Sequence, residues 1–97
     1  MNYSIHPEAA QDLADAAAFY RHRGSSLVAS RFLEEFERVA KLLADNPGFG
    51  TPFDLPRRVC PLRVFPYSIV YKPIDEAVRV LAVRHQNRIP SYGRSRS

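Results

Sequence analysis

The sequence lacks several features that would assign it quickly to a class. It contains one cysteine, Cys60, so no disulfide can form within the chain and no cysteine set exists for a structural zinc ion. It has no apolar run of membrane-spanning length, and its first residues, MNYSIHPE, lack the basic and apolar regions of a secretory signal. We therefore expect a soluble, cytoplasmic protein with no metal, no cofactor and no membrane partner.

Acidic residues are scarce in the second half of the chain. Residues 55–97 carry nine Lys or Arg and two Asp or Glu, whereas residues 1–54 carry five and eight. Twelve of the fourteen basic residues are Arg, which favours bidentate contact with phosphates and carboxylates. This pattern indicates a basic surface for a polyanion such as RNA or DNA, or for an acidic protein partner. A solvated face that merely keeps the protein soluble is the alternative.

The length and composition predict one folded domain over residues 1–97. A chain of 97 residues is long enough for one modest core, and a hydrophobic share of 45% with eleven aromatic residues favours folding over disorder. Repeats and linkers are absent from the sequence. The end of the chain, from about residue 93 to 97, is polar and basic, and we expect it to be frayed.

The first half has the residue spacing of two amphipathic helices. Pro7 and Glu8 suit the first turn of a helix that Gly24 ends near Arg23, and Ser25 or Ser26 suits the N-cap of a second helix that ends near Asp45. Steps of three and four place apolar residues on one face of each helix: Ala9, Leu13, Ala16 and Tyr20 on the first, and Val28, Phe32, Phe36, Val39 and Leu43 on the second. The two helices form a hairpin that must bury these faces.

The remaining segments have the composition of β-strands. They are residues 3–5 at the start, and then 59–65, 67–71 and 77–84, with a turn predicted at residues 73–76. Pro61 and Pro66 lack an N–H group, so the strand that contains Cys60 should be short, irregular or at an edge. The predicted fold class is α+β, in the order βααβββ, with the helical hairpin packed on one face of a small, mainly antiparallel sheet.

These elements and several short motifs resemble the RelE/ParE superfamily of bacterial toxins from type II toxin–antitoxin modules. The similarity covers about residues 3–96 and is carried by four motifs: Ala29-x-x-Phe32; Leu43-x-x-x-Pro47-x-x-Gly50; Arg63-x-x-Pro66-Tyr67-Ser68-Ile69-Val70-Tyr71; and Val80-Leu81-Ala82-Val83-x-His85-x-x-Arg88-x-Pro90-x-Tyr92. Gly93 departs from the pattern, since many relatives have a large aromatic residue there. The resemblance implies a toxin that a cognate antitoxin neutralises, as a homodimer or a toxin–antitoxin heteromer.

The superfamily holds two activities on one fold, so the fold alone does not decide the function. RelE-like members are ribosome-dependent endoribonucleases that cut messenger RNA, and ParE-like members block DNA gyrase by binding it. RelE-like enzymes use basic residues that include lysines on the sheet, whereas here Lys41 lies in a predicted helix and Lys72, directly after the predicted strand at 67–71, is the only other lysine. The resemblance therefore favours the ParE-like branch, with the nuclease and a basic nucleic-acid-binding module outside the toxins as alternatives.

The basic segment at the end of the chain holds the candidate site. If the protein cuts RNA, His85 is the candidate general base, Arg63 and Arg88 would hold the phosphate, and Tyr92 would stack on a base or donate a proton. If it binds a target or a nucleic acid, the candidate contacts are Arg57, Arg58, Arg63, Arg84, Arg88, Tyr92 and Arg94. Structural roles are the alternative for His85 and Tyr92, as a loop-holding ring and a packing anchor.

Overall fold

In the computed structural model, which describes residues 2–87, 92, 93 and 95–97, two helices pack on one face of a sheet. Helix α1 spans Pro7–Arg23 and helix α2 spans Ser26–Asp45. The strands are β1 (Tyr3–Ile5), β2 (Thr51–Pro52), β3 (Arg58–Pro61), β4 (Tyr67–Ile74) and β5 (Ala77–His85). This arrangement confirms the predicted α+β class and the helical hairpin.

The ends of both helices follow from local chemistry. Pro7 opens α1, and the amide of Gly24 donates to the carbonyl of Tyr20 at its end. The hydroxyl of Ser25 accepts a hydrogen bond from the amide of Val28 at 3.2 Å and so caps α2. The asparagine after Asp45 closes the last turn. The predicted helix boundaries are confirmed.

The sheet has β5 next to its centre, in the order β1-β5-β4-β3-β2. Strand β1 lies parallel to β5, and the other neighbours are antiparallel. The β4–β5 ladder pairs Val70 with Ala82 and Tyr71 with Val80, so Leu81 is an extra residue on β5. Because of this bulge, Val83 instead of Ala82 shares the core-facing side of β5 with Val78 and Val80.

The core lies between the helical hairpin and the sheet. Its largest fully buried side chains include Tyr71, Phe32, Leu43 and Ile69. Tyr20 joins this core through ring contacts with Phe32, Phe65 and Tyr67, with centroids 5.1–6.2 Å apart. The apolar faces predicted from the helical spacing therefore pack against the sheet. This packing buries the apolar side of the helical hairpin.

The strands differ from the prediction in three places. A fifth strand, Thr51–Pro52, pairs with β3, so the order is βααββββ rather than βααβββ. Strand β3 ends at Pro61 and does not reach residue 65, because the chain turns back into β4: the Leu62 amide donates to the Tyr67 carbonyl at 2.9 Å, and Val64 has a φ of 73°. Strand β4 continues to Ile74, and the turn is only Asp75 and Glu76.

The described residues near the end of the sequence make hydrogen bonds to other parts of the chain. The carbonyl of Arg96 accepts a hydrogen bond from the Arg57 guanidinium at 3.3 Å, and the carbonyl of Ser97 accepts one from Arg79 at 3.0 Å. Gly93 has a φ of +76°, and a Cβ there would lie 3.0 Å from the Cβ of Ala82. The left-handed backbone and this close approach favour glycine over any residue with a side chain.

Candidate functional site at the end of the central strand

A cleft lies between α1 and the end of β5. It has a volume of about 140 Å³ and contains two residues of the predicted site, His85 and Tyr92. The other residues that line it are Asp12, Asp15, Ala16, Phe19, Tyr67 and Val83. The cleft therefore combines aromatic walls with carboxylates and an imidazole.

His85 is held by both of its neighbours in the fold. It is the last residue of β5 and pairs with Tyr67 of β4, whose ring meets the imidazole edge to face with centroids 5.0 Å apart. The Nδ1 atom accepts a hydrogen bond from the amide of Asn87 at 3.0 Å. In the neutral ring this bond assigns the proton to Nε2, so the second nitrogen is a donor.

Tyr92 is held by Asp12 of α1. Its hydroxyl donates to Asp12 Oδ1 at 2.5 Å, and the Arg96 guanidinium lies 4.9 Å from the centre of its ring. The Asp12 hydrogen bond, together with burial, raises the pKa of the Tyr92 phenol. The phenol therefore keeps its proton to a higher pH than an ordinary tyrosine does.

Asp12 and Arg96 form an ion pair that is almost completely buried. Arg96 Nη1 lies 2.6 Å from Asp12 Oδ2, and the side chains of Arg96 and Asp12 are 9% and 8% exposed. The same guanidinium donates to the carbonyl of Leu81 at 3.1 Å, and the amide of Val83 donates to Asp12 at 3.1 Å. The pair thus joins α1, β5 and the end of the chain.

Among the described residues, Arg57, Arg58 and Arg84, which were predicted to bind a target, all make contacts within the fold. Arg84 lies over the ring of Phe53 at 5.1 Å, and Arg57 reaches the carbonyl of Arg96. The Arg58 guanidinium donates to the carbonyls of Gly48 and Gly50 at 3.2 and 2.8 Å, so it holds the loop after α2.

Arg63 follows β3 and is exposed. Its amide donates to the Glu35 carboxylate of α2 at 2.7 Å. Strand β4 lies between β3 and the strand of His85. Arg63 therefore lies in the loop between β3 and β4, and it is not among the residues that line the cleft of His85. Two further members of the predicted site, Arg88 and Arg94, lie outside the described residues.

Asp12 is the residue of this region that the sequence prediction missed. The signal for it was weak: Asp12 follows Ala9 by three positions and precedes Ala16 by four, so it lies on the inner face of α1. A carboxylate on such a face needs a partner. The partner is 84 residues away, and local spacing does not reveal it.

Residues 2–87, 92, 93 and 95–97 contain no group of three or more His, Cys, Asp or Glu side chains arranged to hold a metal ion. Within the same residues, neither helix combines the length and the apolar character that crossing a membrane requires.

Comparison with known proteins gives the class and then the family. The fold is shared with a chain of the solved structure described as the chromosomal ParDE TA system from P. aeruginosa, which superimposes with a TM-score of 0.76 at 22% identity, covering 88% of this chain and 95% of that one. Residues 3–90 match the family model for the ParE toxin of type II toxin–antitoxin systems, parDE. The chain therefore belongs to the ParE toxin family.

Curated relatives agree with this assignment. Toxin ParE2 from two strains of Mycobacterium tuberculosis, CDC 1551 / Oshkosh and H37Rv, is 28% identical to this chain over 87 residues. The similarity covers 90% of this chain and 83% of each relative. The resemblance to the RelE/ParE superfamily, and to its ParE-like branch, is thereby confirmed.

Proposed function

We propose that this chain inhibits bacterial growth by binding DNA gyrase and that a cognate antitoxin neutralises it. The membership of the ParE toxin family supports the first part, since the ParE-like branch of the superfamily is the one that the resemblance connects with gyrase. The proposal assigns the C-terminal half of the chain, with its excess of arginine, to the recognition of the target.

The hydrogen bonding of His85 is the observation that favours target binding over RNA cleavage. Its Nδ1 atom already accepts the Asn87 amide, and in the neutral ring the other nitrogen is a donor. A general base needs a nitrogen that is free to accept the proton of the 2′-hydroxyl. His85 in this tautomer holds the turn after β5 and is poorly suited to that role.

Two other residues of the predicted nuclease site, Tyr92 and Arg63, also favour target binding over RNA cleavage. The Tyr92 hydroxyl is bonded to Asp12, and its raised pKa makes it a weaker acid for a leaving oxygen. Arg63 lies in the loop between β3 and β4 and is not among the residues that line the cleft of His85. Catalytic residues have to meet at one point, but the residues of a binding surface do not, because the binding energy is spread over several contact residues.

The antitoxin part of the proposal rests on the solved relative and on exposed apolar side chains. The P. aeruginosa structure is described as a ParDE toxin–antitoxin system. In the present chain the helical hairpin exposes Phe19 by 50%, Leu27 by 59% and Leu33 by 39%. Large exposed apolar side chains on a helix suit the anchors of a segment that orders on binding.

The first test is brief induction of the chain in a bacterial host, with DNA synthesis and protein synthesis followed separately by pulse labelling. We expect DNA synthesis to fall first, with a DNA-damage response, and purified protein to inhibit supercoiling by gyrase. His85→Ala should retain most of this inhibition. Early collapse of protein synthesis, abolished by His85→Ala or Arg63→Ala, would instead establish the ribonuclease.

Two further measurements separate the remaining alternatives. Co-expression of the protein encoded by the neighbouring gene should restore growth, and calorimetry should detect its binding to the purified chain. Nucleic-acid affinity that falls steeply with salt, without any effect on growth, would indicate a basic nucleic-acid-binding module instead.

A further inference from the structure

Val64 is an exposed residue in a backbone conformation that β-branched side chains rarely adopt. It lies in the loop between β3 and β4, residues 62–66, and has a φ of 73°. Among the described residues other than glycine, Asp54 and Asp75 also have a positive φ, which aspartate tolerates because its short polar side chain can bond locally. Valine has no such group, and its branched Cβ makes the conformation costly.

The side chain of Val64 makes little contact with the rest of the fold. It is 95% exposed, more than any other exposed large apolar residue in the described part of the chain. A glycine would adopt the same φ without the steric cost. The packing of the folded chain therefore gives no reason for a valine at this position.

The residues on both sides of this turn are fixed by the fold. Leu62 is buried, and its amide donates to the Tyr67 carbonyl at 2.9 Å. Phe65 packs against two rings of the core, with centroids 5.1 and 5.3 Å away. Because the core holds both flanking side chains, the two residues between them, Arg63 and Val64, have to reverse the chain at the surface.

Helix α2 holds the same loop through Glu35. The carboxylate of Glu35 accepts the Arg63 amide at 2.7 Å, and it accepts Arg38 Nε at 2.8 Å and Nη2 at 2.9 Å. The Glu35 side chain is only 13% exposed, whereas Arg63 is exposed. Two guanidinium groups and one carboxylate give the surface beside Val64 a net positive charge.

The geometry of the loop indicates what kind of partner fits it. An apolar side chain that a rigid turn holds in solvent suits a concave site, and pre-organisation lowers the cost of ordering the turn on binding. A disordered segment has no pocket of its own and instead lies along the grooves of the protein on which it orders. The partner that fits is a folded protein with an apolar pocket bordered by carboxylates.

We propose that Val64 is a contact residue for DNA gyrase and inserts into an apolar pocket of that protein, with Arg63 beside carboxylates at the rim of the pocket. Burial of the valine in the complex offsets the cost of its backbone conformation in the free protein. This inference rests on the proposed function, and it deepens that function by making the β3–β4 loop a part of the recognition surface.

The test compares gyrase affinity, by surface plasmon resonance with purified gyrase, and melting temperature for purified variants. Val64→Gly removes the side chain and the backbone strain together. We expect its melting temperature to equal or exceed that of the wild type, while its affinity for gyrase falls about fivefold or more. Asp75→Gly, in the β4–β5 turn, is the matched control: it also places glycine at a positive φ, and it should leave the affinity unchanged.

A second variant separates the apolar contact from the stiffness of the loop. Asparagine in Val64→Asn adopts the left-handed region readily and keeps a side chain of comparable size, but that side chain is polar. We expect it to lose as much gyrase affinity as Val64→Gly. Wild-type affinity in Val64→Asn, whatever the result for glycine, would show that the apolar contact is not used and would overturn the inference.

Three outcomes separate this inference from the proposed function. Failure of the wild-type chain to bind gyrase overturns the proposed function and the inference with it. Gyrase binding that is the same in the wild type and in both Val64 variants overturns the inference alone. Calorimetry with the antitoxin supplies the third outcome: variants that weaken antitoxin binding but not gyrase binding would make the loop an antitoxin contact and overturn the inference.

Discussion

The hydroxyl oxygen of Tyr71 lies 2.9 Å from the amide nitrogen of Gly50, and the side chain of Tyr71 is completely buried. The same hydroxyl donates to the carbonyl of Pro47 at 2.8 Å. A single phenol on β4 thereby satisfies a donor and an acceptor of the loop that follows α2. This loop leads from α2 into β2 and β3, so the contact connects the helical half of the molecule with the sheet.

Tyr71→Phe should destabilise the protein by about 1–3 kcal/mol, because it leaves the Gly50 amide and the Pro47 carbonyl without this partner. Urea denaturation followed by circular dichroism measures the change. Tyr3→Phe is the matched control, since it removes the same atom from a half-buried ring on β1. Equal stability of the wild type and Tyr71→Phe would show that water replaces the hydroxyl at no cost.

Gly50→Ala should destabilise the protein by roughly 1–3 kcal/mol through overpacking. A Cβ at this position would lie 2.7 Å from the Tyr71 hydroxyl and 2.9 Å from the Val59 carbonyl oxygen, and the second of these is backbone that cannot move aside easily. Gly48→Ala is the internal control, because its added Cβ meets nothing within 4 Å. Thermal melts of the two variants should separate clearly, and similar melting temperatures would contradict the close packing at Gly50.

Glu35 should make stability dependent on acid pH. Its hydrogen bonds to the Arg38 guanidinium, with a further contribution from the Arg63 amide, lower the pKa of its carboxyl. The folded state therefore binds the proton less readily than the unfolded state. The contribution is complete above the ordinary carboxyl pKa of roughly 4.3 and is lost as the pH falls below it.

Glu35→Gln should accordingly lower the melting temperature at pH 7 and should flatten its dependence on pH between about 5 and 3. Glu37→Gln removes a carboxylate whose ion pair with Lys41 is more than half exposed on both sides, and it should change little. Parallel melts at several pH values test the difference. Identical pH profiles for wild type and Glu35→Gln would refute the role of Glu35.

The thiol of Cys60 should be unreactive in the folded protein. Its side chain is 6% exposed, and burial raises its pKa, so little thiolate is present at neutral pH. Modification by a disulfide reagent should be at least ~10-fold slower in buffer than in denaturant. A fast reaction in buffer would mean that β3 opens readily.

The helices were predictable because their signals are local. Pro7, Gly24 and Ser25 lie within one turn of the helix ends that they define, and the apolar spacing reports directly on the buried faces. Strand β2 was not predicted because its two residues, Thr51 and Pro52, do not show the alternation of apolar and polar side chains that is typical of a strand. The length of β4 was underestimated since Pro73, read as part of a turn, is accommodated within the strand opposite Val78.

The candidate site was only partly predictable, because one of its contacts joins residues that are far apart in the sequence. His85 and Tyr92 are close in the sequence, and both line the cleft at the end of β5, while their roles in binding stay predictions. Asp12 comes from the other end of the chain, and its link to Arg96 spans 84 residues. Such a contact depends on the finished topology, so no pattern within α1 or the C-terminal segment reveals it.

The position of β5 in the sheet has a consequence for how the molecule is made. This strand follows the helical hairpin in the sequence, yet it lies between β1 and β4 and receives the packing of α1. A ribosome releases the helical hairpin before the strand that covers its apolar face. Folding therefore has to wait for the synthesis of β5, and non-local contacts of this kind make it slow compared with that of a helical bundle. The time between synthesis of the hairpin and arrival of β5 is an interval in which the nascent chain exposes its future core.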